Sequence, residues 1–592
     1  MNSFISSYKS LIVGIVLAFM IFELIRSKRR PATVFGIVVG IFLLLGYISV
    51  DSILKALITK SVLIIFIVIA ISSIINEYFD IGKFLDRIMG KIRSKFVFFT
   101  VLCACVALIS SVFNNTPVVI ILIPYVMKKG EYYGISPSKL LIPLSFSAIL
   151  GGMITLIGTS TNLVLNGLLE SNGLELFKLY DFVVPGLIVT GIGIIYFLVI
   201  GFKLLPSRSL TPLQKRNAVR KYFVEAKVGS SSTLVGKSIE DSGIKDFRGI
   251  SLIEIVRGNK IFKVVASKNL IVEGGDRLIF SGSLEDVMLI NEEDNNIEFI
   301  SNKLNKYEDK LEYVELSIPT NSWLDGKRIK DTDFRAKYSA TILAVHRNGE
   351  DLSGRIGEIK LRSGDLLIVV PHSNLSESIR ADFYILSNLK TKGKQSNNKV
   401  KFLCGLSLLG LTMFFERIDL FLFLFLTLIL LLSLGYTSIN SIKSGFRVDL
   451  FVVLCASIII GEVFISSGLA DFISGKLLFM LQPYGMLVII LGLMLFTILL
   501  TSFITNVAAV SIAFPLAYSI SLTTGIPGEA LYLVVAFGAS AAFMTPIGYQ
   551  TNLIILAPGD YRFKDFFKVG APLTVLYVIG VIGYIMIKYK IN

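Results

Sequence analysis

The chain has 592 residues, of which 53% are hydrophobic and only 17% charged, with a mean hydropathy of +0.72. Uncharged runs of bilayer length recur along it, which excludes an ordinary soluble enzyme and points to a multi-pass membrane protein with no catalytic role. The formal charge of +15 arises from 58 Lys and Arg against 43 Asp and Glu, but these bases flank apolar spans as the positive-inside bias requires, so no nucleic-acid partner is expected.

The run 11–22 lacks a small-residue cleavage site and is followed at once by another span, so it reads as a membrane helix. Arg26, Lys28, Arg29 and Arg30 place the next loop in the cytoplasm. A span near 32–50 leads outward, and another near 61–78 returns to Lys83, Arg87, Lys91, Arg93 and Lys95, a basic amphipathic stretch suited to the inner membrane surface. The apolar stretch 96–127 has bases at both ends. It reads as a re-entrant hairpin turning at Asn114-Asn115-Thr116-Pro117, with a pair of short spanning helices as the alternative. Segment 138–168 then goes outward, interrupted at 158–162, and 183–203 comes back to Lys203 and Arg208. Five crossings plus a hairpin is an odd count, so a second similar half has to sit upside down.

Between 207 and 398 the apolar runs shorten and charges alternate with Val, Ile and Leu. This insert is itself duplicated at an offset near 90 residues: Leu234-Val235-Gly236-Lys237 matches Leu324-Asp325-Gly326-Lys327, and Gly275-Asp276-Arg277-Leu278-Ile279 matches Gly364-Asp365-Leu366-Leu367-Ile368. Period-2 strands at 249–257 and 340–347 imply two small α/β units, 207–303 and 304–398, on the cytoplasmic side. No Gly-x-Gly-x-x-Gly follows a strand there, so no nicotinamide cofactor is expected. The two histidines, His346 and His372, fall on different strands, and Cys103, Cys105, Cys404 and Cys455 all lie in apolar segments, so neither residue type implies a metal site.

The second membrane half, 399–592, repeats the first, 1–206. Spans near 401–415, 420–436 and 448–468 precede a hairpin at about 484–520, an interrupted span at 529–556 and a last span at 571–588. Ser110-Ser111-Val112-Phe113-Asn114-Asn115-Thr116 has its counterpart in Thr501-Ser502-Phe503-Ile504-Thr505-Asn506-Val507, with Pro124 and Pro515 each nine residues beyond the Asn. Gly158-Thr159-Ser160-Thr161-Asn162 is matched by Gly548-Tyr549-Gln550-Thr551-Asn552. Polar and glycine-rich breaks in lipid are tolerated only where they line a protected cavity, and paired breaks in two halves point to a transporter's binding site. Half-helix N-termini at such tips offer free N–H groups to an anion, while hydroxyl and carbonyl oxygens suit a dehydrated Na⁺. Neither motif holds Lys or Arg, so dipoles and a co-bound cation have to neutralise the anion. Glu77 and Glu462 close the third span of their halves and are candidate coupling acids, with an interfacial position in water as the alternative.

The doubled Asn tips and the Gly-x-x-Thr-Asn breaks resemble the divalent anion/sodium symporter family over the whole membrane part, and the insert resembles paired TrkA-C regulatory domains. The resemblance implies a polytopic α-helical fold of two inverted repeats, each of about five spans plus a re-entrant hairpin, and alternating access in a homodimer. It implies that Ser110, Asn115 and Gly158 line one Na⁺ site, that Thr501, Asn506 and Gly548 line a second, and that Asn115, Thr116, Thr161, Asn506 and Thr551 face the anion. It also implies a small regulatory ligand on the insert. The family's tip reads Ser-Asn-Thr in both halves, whereas here Thr116 has Val507 as its counterpart. Losing a hydroxyl favours a small oxyanion, sulfate, over a dicarboxylate. An antiporter or arsenite-type carrier of the wider ion-transporter group is the second alternative.

Overall fold

A computed structural model describes the chain from Tyr8 to Ile591, except for 27–28, 79–80, 91, 209–221, 240–245, 248–249, 259, 264–269, 283–296, 300–313, 320–321, 348–349, 353–355, 372–378, 380–381, 386–419 and 434–447. The first half forms α1 (Lys9–Arg26), α2 (Pro31–Leu44), α3 (Val50–Leu57), α4 (Lys60–Tyr78), α5 (Ile81–Met89), α6 (Lys95–Val112), α7 (Asn115–Tyr133), α8 (Leu141–Gly152), α9 (Ser160–Ser171) and α10 (Val183–Tyr196). The second forms α11 (Leu420–Ser433), α12 (Val448–Ser466), α13 (Leu469–Leu481), α14 (Met486–Phe503), α15 (Asn506–Thr524), α16 (Gly528–Ser540), α17 (Gln550–Leu556) and α18 (Phe563–Tyr589). Among the described residues, five stretches are long and apolar enough to cross a membrane: α6, Leu179–Leu204 (which contains α10), α14, α15 and α18. Two bent pairs raise the number to as many as seven.

Exposure separates bilayer-facing helices from central ones. On α1 the side chains of Leu11, Ile15, Phe19, Phe22 and Ile25 are all exposed, while Val13, Val16, Leu17, Met20 and Leu24 are buried. An apolar outer stripe this long belongs in lipid, not water. By contrast every residue of α8 is buried, as is every residue of α16 from Ala530 to Ser540. These helices are rich in Ala, Gly and Ser, the small residues that let backbones approach where lipid removes any hydrophobic drive to associate. They form the centre, α8 packed on α6 and α16 packed on α14.

The packing is reciprocal between halves. The short helix α17 packs on α7 and α8, and its counterpart α9 packs on α15 and α16, while α10 meets its own counterpart α18. Reciprocal contact of this kind is what a two-fold relation between equivalent units produces. In the first half the first break falls at Phe113 and Asn114, at the head of the turn expected over Asn114-Asn115-Thr116-Pro117, whose last three residues are already helical. In the second half it falls at Ile504 and Thr505, within the hairpin expected at about 484–520; Phe113 and Ile504 both leave helical geometry for extended backbone. The second breaks span 153–159 and 541–549. A further bend, of 109°, falls later than the hairpin tip, between Asn115–Tyr133 and Pro137–Gly152. The helix α13 was not expected as a separate element; it bends from Phe451–Ser466 by 68° at Gly468, whose φ of +73° suits glycine. The span expected at 401–415 lies outside the described residues.

The insert forms two antiparallel sheets. The first contains β1 (Tyr222–Val228), β2 (Asp246–Phe247), β3 (Ile250–Arg257), β4 (Lys260–Lys263), β5 (Arg277–Gly282) and β6 (Ile297–Phe299); the second contains β7 (Val314–Ser317), β8 (Ala340–Arg347), β9 (Glu350–Asp351), β10 (Leu366–Pro371) and β11 (Tyr384–Ile385). Strand order is β2-β3-β5-β1-β6 with β4 also paired to β3, and β11-β7-β10-β8-β9. Dropping β2, the two orders coincide when β1, β3, β4, β5 and β6 are matched to β7, β8, β9, β10 and β11. Each sheet also buries the same bidentate pair: Arg257 on Asp276, both contacts 2.8 Å, and Arg347 on Asp365, both 2.7 Å. The acids are 1% exposed, so their full pairing by the guanidinium fork offsets the cost of burying charge.

Candidate functional site: two half-motifs in contact

Each half builds the same polar network around its breaks. In the first, the Ser110 hydroxyl donates to Asn115 Oδ1 at 2.6 Å, and in the second the Thr501 hydroxyl lies 2.9 Å from Asn506 Oδ1. The Thr155 hydroxyl reaches the Ser111 carbonyl at 2.5 Å and Thr545 reaches that of Ser502 at 2.8 Å, tying the second break of each half to the end of the helix before its first break, α6 or α14. The same two hydroxyls accept from the backbone N–H of Gly158 at 3.1 Å and of Gly548 at 3.2 Å. The Asn162 and Asn552 amides then donate to the Thr155 and Thr545 carbonyls, at 3.1 and 3.2 Å. Four contacts are matched between the halves, at a sequence offset of 391 for the residues of the first break and 390 for those of the second.

The networks touch across the halves. Asn115 Nδ2 donates to the Tyr549 hydroxyl at 2.6 Å, and the Thr116 hydroxyl donates to Gln550 Oε1 at 3.3 Å. Ser145 on α8 reaches Thr551 Oγ1 at 2.8 Å and Asn552 Oδ1 at 2.7 Å. Almost every group involved is neutral and buried, with Ser110, Thr501, Thr551 and Asn552 fully so. Among the described residues no cluster of His, Cys, Asp and Glu could hold a metal, and the oxygens gathered here are hydroxyl, amide and backbone carbonyl oxygens. That donor set suits a hard cation.

Two details leave oxygen capacity open. Thr501 Oγ1 carries one proton yet lies 2.5 Å from the Ala539 carbonyl as well as 2.9 Å from Asn506 Oδ1. One of those two acceptors therefore lacks its proton. In the first half, Asn162 is 1% exposed and its Oδ1 has no hydrogen-bond partner, although Asn552 Oδ1 receives Ser145. The position equivalent to Ser145 in the other half is apolar, falling in the Leu533-Val534-Val535-Ala536 run.

The structure brings Ser110, Asn115, Thr116 and Gly158 together, and likewise Thr501, Asn506, Gly548 and Thr551. Thr161 lies at the start of α9, where its hydroxyl sits 3.2 Å from Thr159 of its own half. Glu462 is on α12 with an exposed side chain, and the Glu77 side chain lies outside the described residues. Sequence reasoning overlooked Ser145, Thr155, Thr545, Tyr549 and Gln550. Extending the repeat alignment three residues upstream of the glycines would have found Thr155 and Thr545, which share a Thr-x-x-Gly spacing.

Central helices that break in matched places, with polar side chains gathered around those breaks and an apolar exterior, mark a multi-pass membrane protein. Comparison with known proteins agrees: the citrate transporter (CitMHS) family profile matches residues 17–415 and 411–590, and the chain belongs to that family. It is 30% identical over 501 residues to an uncharacterized transporter of Synechocystis, covering 82% of this chain and 81% of the relative. An uncharacterized transporter of Escherichia coli is 26% identical over 527 residues, covering 84% and 85%. Sodium/sulfate cotransporter 1 of Chlamydomonas reinhardtii is 28% identical over 291 residues, which is 45% of this chain and 32% of that protein.

Proposed function

We propose that the protein is a sodium-coupled secondary transporter of a divalent oxyanion, sulfate before any other, working by alternating access between two inverted halves. The observation that carries this reading is the contact between two equivalent, uncharged motifs, each at a helix N-terminus deep in the apolar core. Asn115 and Asn506 begin α7 and α15, so backbone N–H groups and helix dipoles converge where an anion has no Lys or Arg to meet it. Na⁺ is the coupling ion. The proton-deficient oxygens around Thr501 and the unpartnered Asn162 Oδ1 are its natural ligands, beside Ser110, Asn115, Gly158, Asn506 and Gly548. Asn115, Thr116, Thr161, Asn506 and Thr551 hold the anion, and each bound ion offsets the charge of the other.

Sulfate is favoured because Val507 is buried and apolar where the first tip has Thr116, leaving fewer donors for an extended substrate. A relative described as a sodium/sulfate cotransporter supports the same choice. A di- or tricarboxylate is the second reading, favoured by the description of the family. The insert is a cytoplasmic pair of TrkA-C-like regulatory domains, and the transporter works as a homodimer. The test is uptake of labelled sulfate into proteoliposomes in NaCl and in choline chloride, with succinate, citrate, phosphate, molybdate and arsenite as competitors. Sodium-dependent sulfate uptake is expected; uptake indifferent to the cation, or outcompeted by citrate at far lower concentration, sinks the assignment.

A further inference from the structure

The two breaks differ at two consecutive positions in a way that the repeat does not explain. After Gly158 comes Thr159, but after Gly548 comes Tyr549. The small residue caps α9, its hydroxyl accepting from the Thr161 N–H, and its side chain also meets the Tyr549 phenol. The large one crosses to the other half, where its phenol oxygen accepts from Asn115 Nδ2 at 2.6 Å. Asn115 Oδ1 is already engaged by Ser110 at 2.6 Å, so this contact saturates the polar atoms that anchor the first tip. The next residue does the same to Thr116, whose hydroxyl donates to Gln550 at 3.3 Å. Both polar side chains of the first tip are thus held by consecutive residues of the second half. Asn506 instead pairs within its own half, with Thr501 at 2.9 Å.

A phenol that accepts from Asn115 through its oxygen can turn its own O–H from the neighbouring Thr159 hydroxyl to an arriving anion. An oxyanion arriving at Asn115 meets that donor at the one place where it also competes for the Asn115 N–H. The aromatic ring fills space that a threonine leaves open. We propose that Tyr549 is a specificity-determining ligand of the anion site: its O–H binds the oxyanion, and its ring limits the site to compact tetrahedral anions over elongated dicarboxylates. This inference rests on the oxyanion reading above.

The test uses the full-length protein in proteoliposomes, with labelled sulfate and unlabelled succinate as probes. Tyr549→Phe keeps the ring and removes the donor. Losing a hydrogen bond to a charged group, it raises the sulfate KM by about tenfold while Vmax holds. Tyr549→Thr copies the first half's residue, so it raises the sulfate KM and lowers the succinate inhibition constant, shifting their ratio by roughly tenfold or more. A merely structural tyrosine lowers Vmax for both variants and leaves the ratio in place, which overturns the inference. Sulfate-induced rise of the melting midpoint in detergent gives a second readout that does not depend on turnover; it shrinks in Tyr549→Phe, and an undiminished rise counts against the role. Asn115→Ala separates the two claims. If it abolishes uptake while both Tyr549 variants keep wild-type KM and selectivity, only the Tyr549 role falls. If the wild type takes up no sulfate, or Asn115→Ala transports normally, the anion-site reading falls and this inference with it.

Discussion

At the residue scale the two asparagines do the most with the least. Each begins a helix, accepts from a hydroxyl five residues earlier, and is buried to 1% exposure at Asn115 and 8% at Asn506. Alanine at either position removes an amide that neither a rotamer change nor water replaces at that depth. Uptake is expected to fall by about a hundredfold or more in Asn115→Ala and Asn506→Ala, because the lost partners leave further buried groups unsatisfied. Ser110→Ala and Thr501→Ala are milder, with a several-fold rise in the Na⁺ half-saturation and little change in anion KM, read from sodium titrations of uptake. Asn162 is a sharper probe. A buried carbonyl oxygen without a donor costs about 1–3 kcal/mol, but alanine also removes the amide that donates to the Thr155 carbonyl. With no ion present the two effects of Asn162→Ala oppose each other, and the melting midpoint is expected to change little. With Na⁺ seated on that oxygen the same variant loses the rise that NaCl produces over choline chloride. Equal NaCl protection in wild type and Asn162→Ala removes Asn162 from the cation site. The asparagines and glycines of the site were legible in the sequence because they repeat. Tyr549 and Ser145 were not, since their roles lie across the halves and break the repeat: Thr159 stands opposite one and an apolar run opposite the other.

At the scale of elements, the breaks matter more than the helices. The loops after α8 and α16 fold back so closely that a Cβ on Gly158 would stand 2.5 Å from the Gly152 carbonyl oxygen, and one on Gly548 would stand 2.6 Å from that of Thr501. Both obstacles are backbone and cannot rotate away. Gly158→Ala and Gly548→Ala are therefore expected to lose monodisperse folded protein or several degrees of melting midpoint, measured by fluorescence-detected size exclusion and thermal scanning. Gly36, within α2 and with nothing near its Cβ position, is the control: Gly36→Ala is neutral or stabilising. Hydropathy made the apolar spans legible, and the Asn-Thr and Gly-x-x-Thr-Asn interruptions marked where they break. Hydropathy could not place the 109° bend, which is set by the Gly134–Pro137 link and not by the polar tip. The helix α13 escaped for a related reason: Asp471, Ser474 and Lys476 interrupt its apolar run, whereas in the structure Asp471 and Ser474 join Ser519 of α15 in one small network.

At the scale of the whole molecule, the insert does not hang free of the membrane part. Leu366 of β10 belongs to the same buried core as the membrane helices, and the turn before it reaches α17. There Gly364, at φ +85°, would place a Cβ 3.3 Å from Leu553 Cγ. The helix touched is the one that starts with Gln550 and Thr551, so a displacement of the second small unit bears directly on the site. The duplication supplies a matched control. Gly275 is the equivalent residue in the first unit, at φ +92°, with nothing within 4 Å of its Cβ position. An alanine at either position carries the same left-handed strain, about 1 kcal/mol, but only Gly364→Ala also pushes on Leu553. If the second unit communicates with the site through this contact, Gly364→Ala changes the anion KM or the Na⁺ half-saturation by several-fold, while Gly275→Ala, equally destabilising in a thermal scan, leaves both unchanged. Leu553→Ala vacates the same contact from the membrane side, and combined with Gly364→Ala it restores the wild-type constants. Identical transport by both glycine variants makes the insert an attachment without a voice in transport.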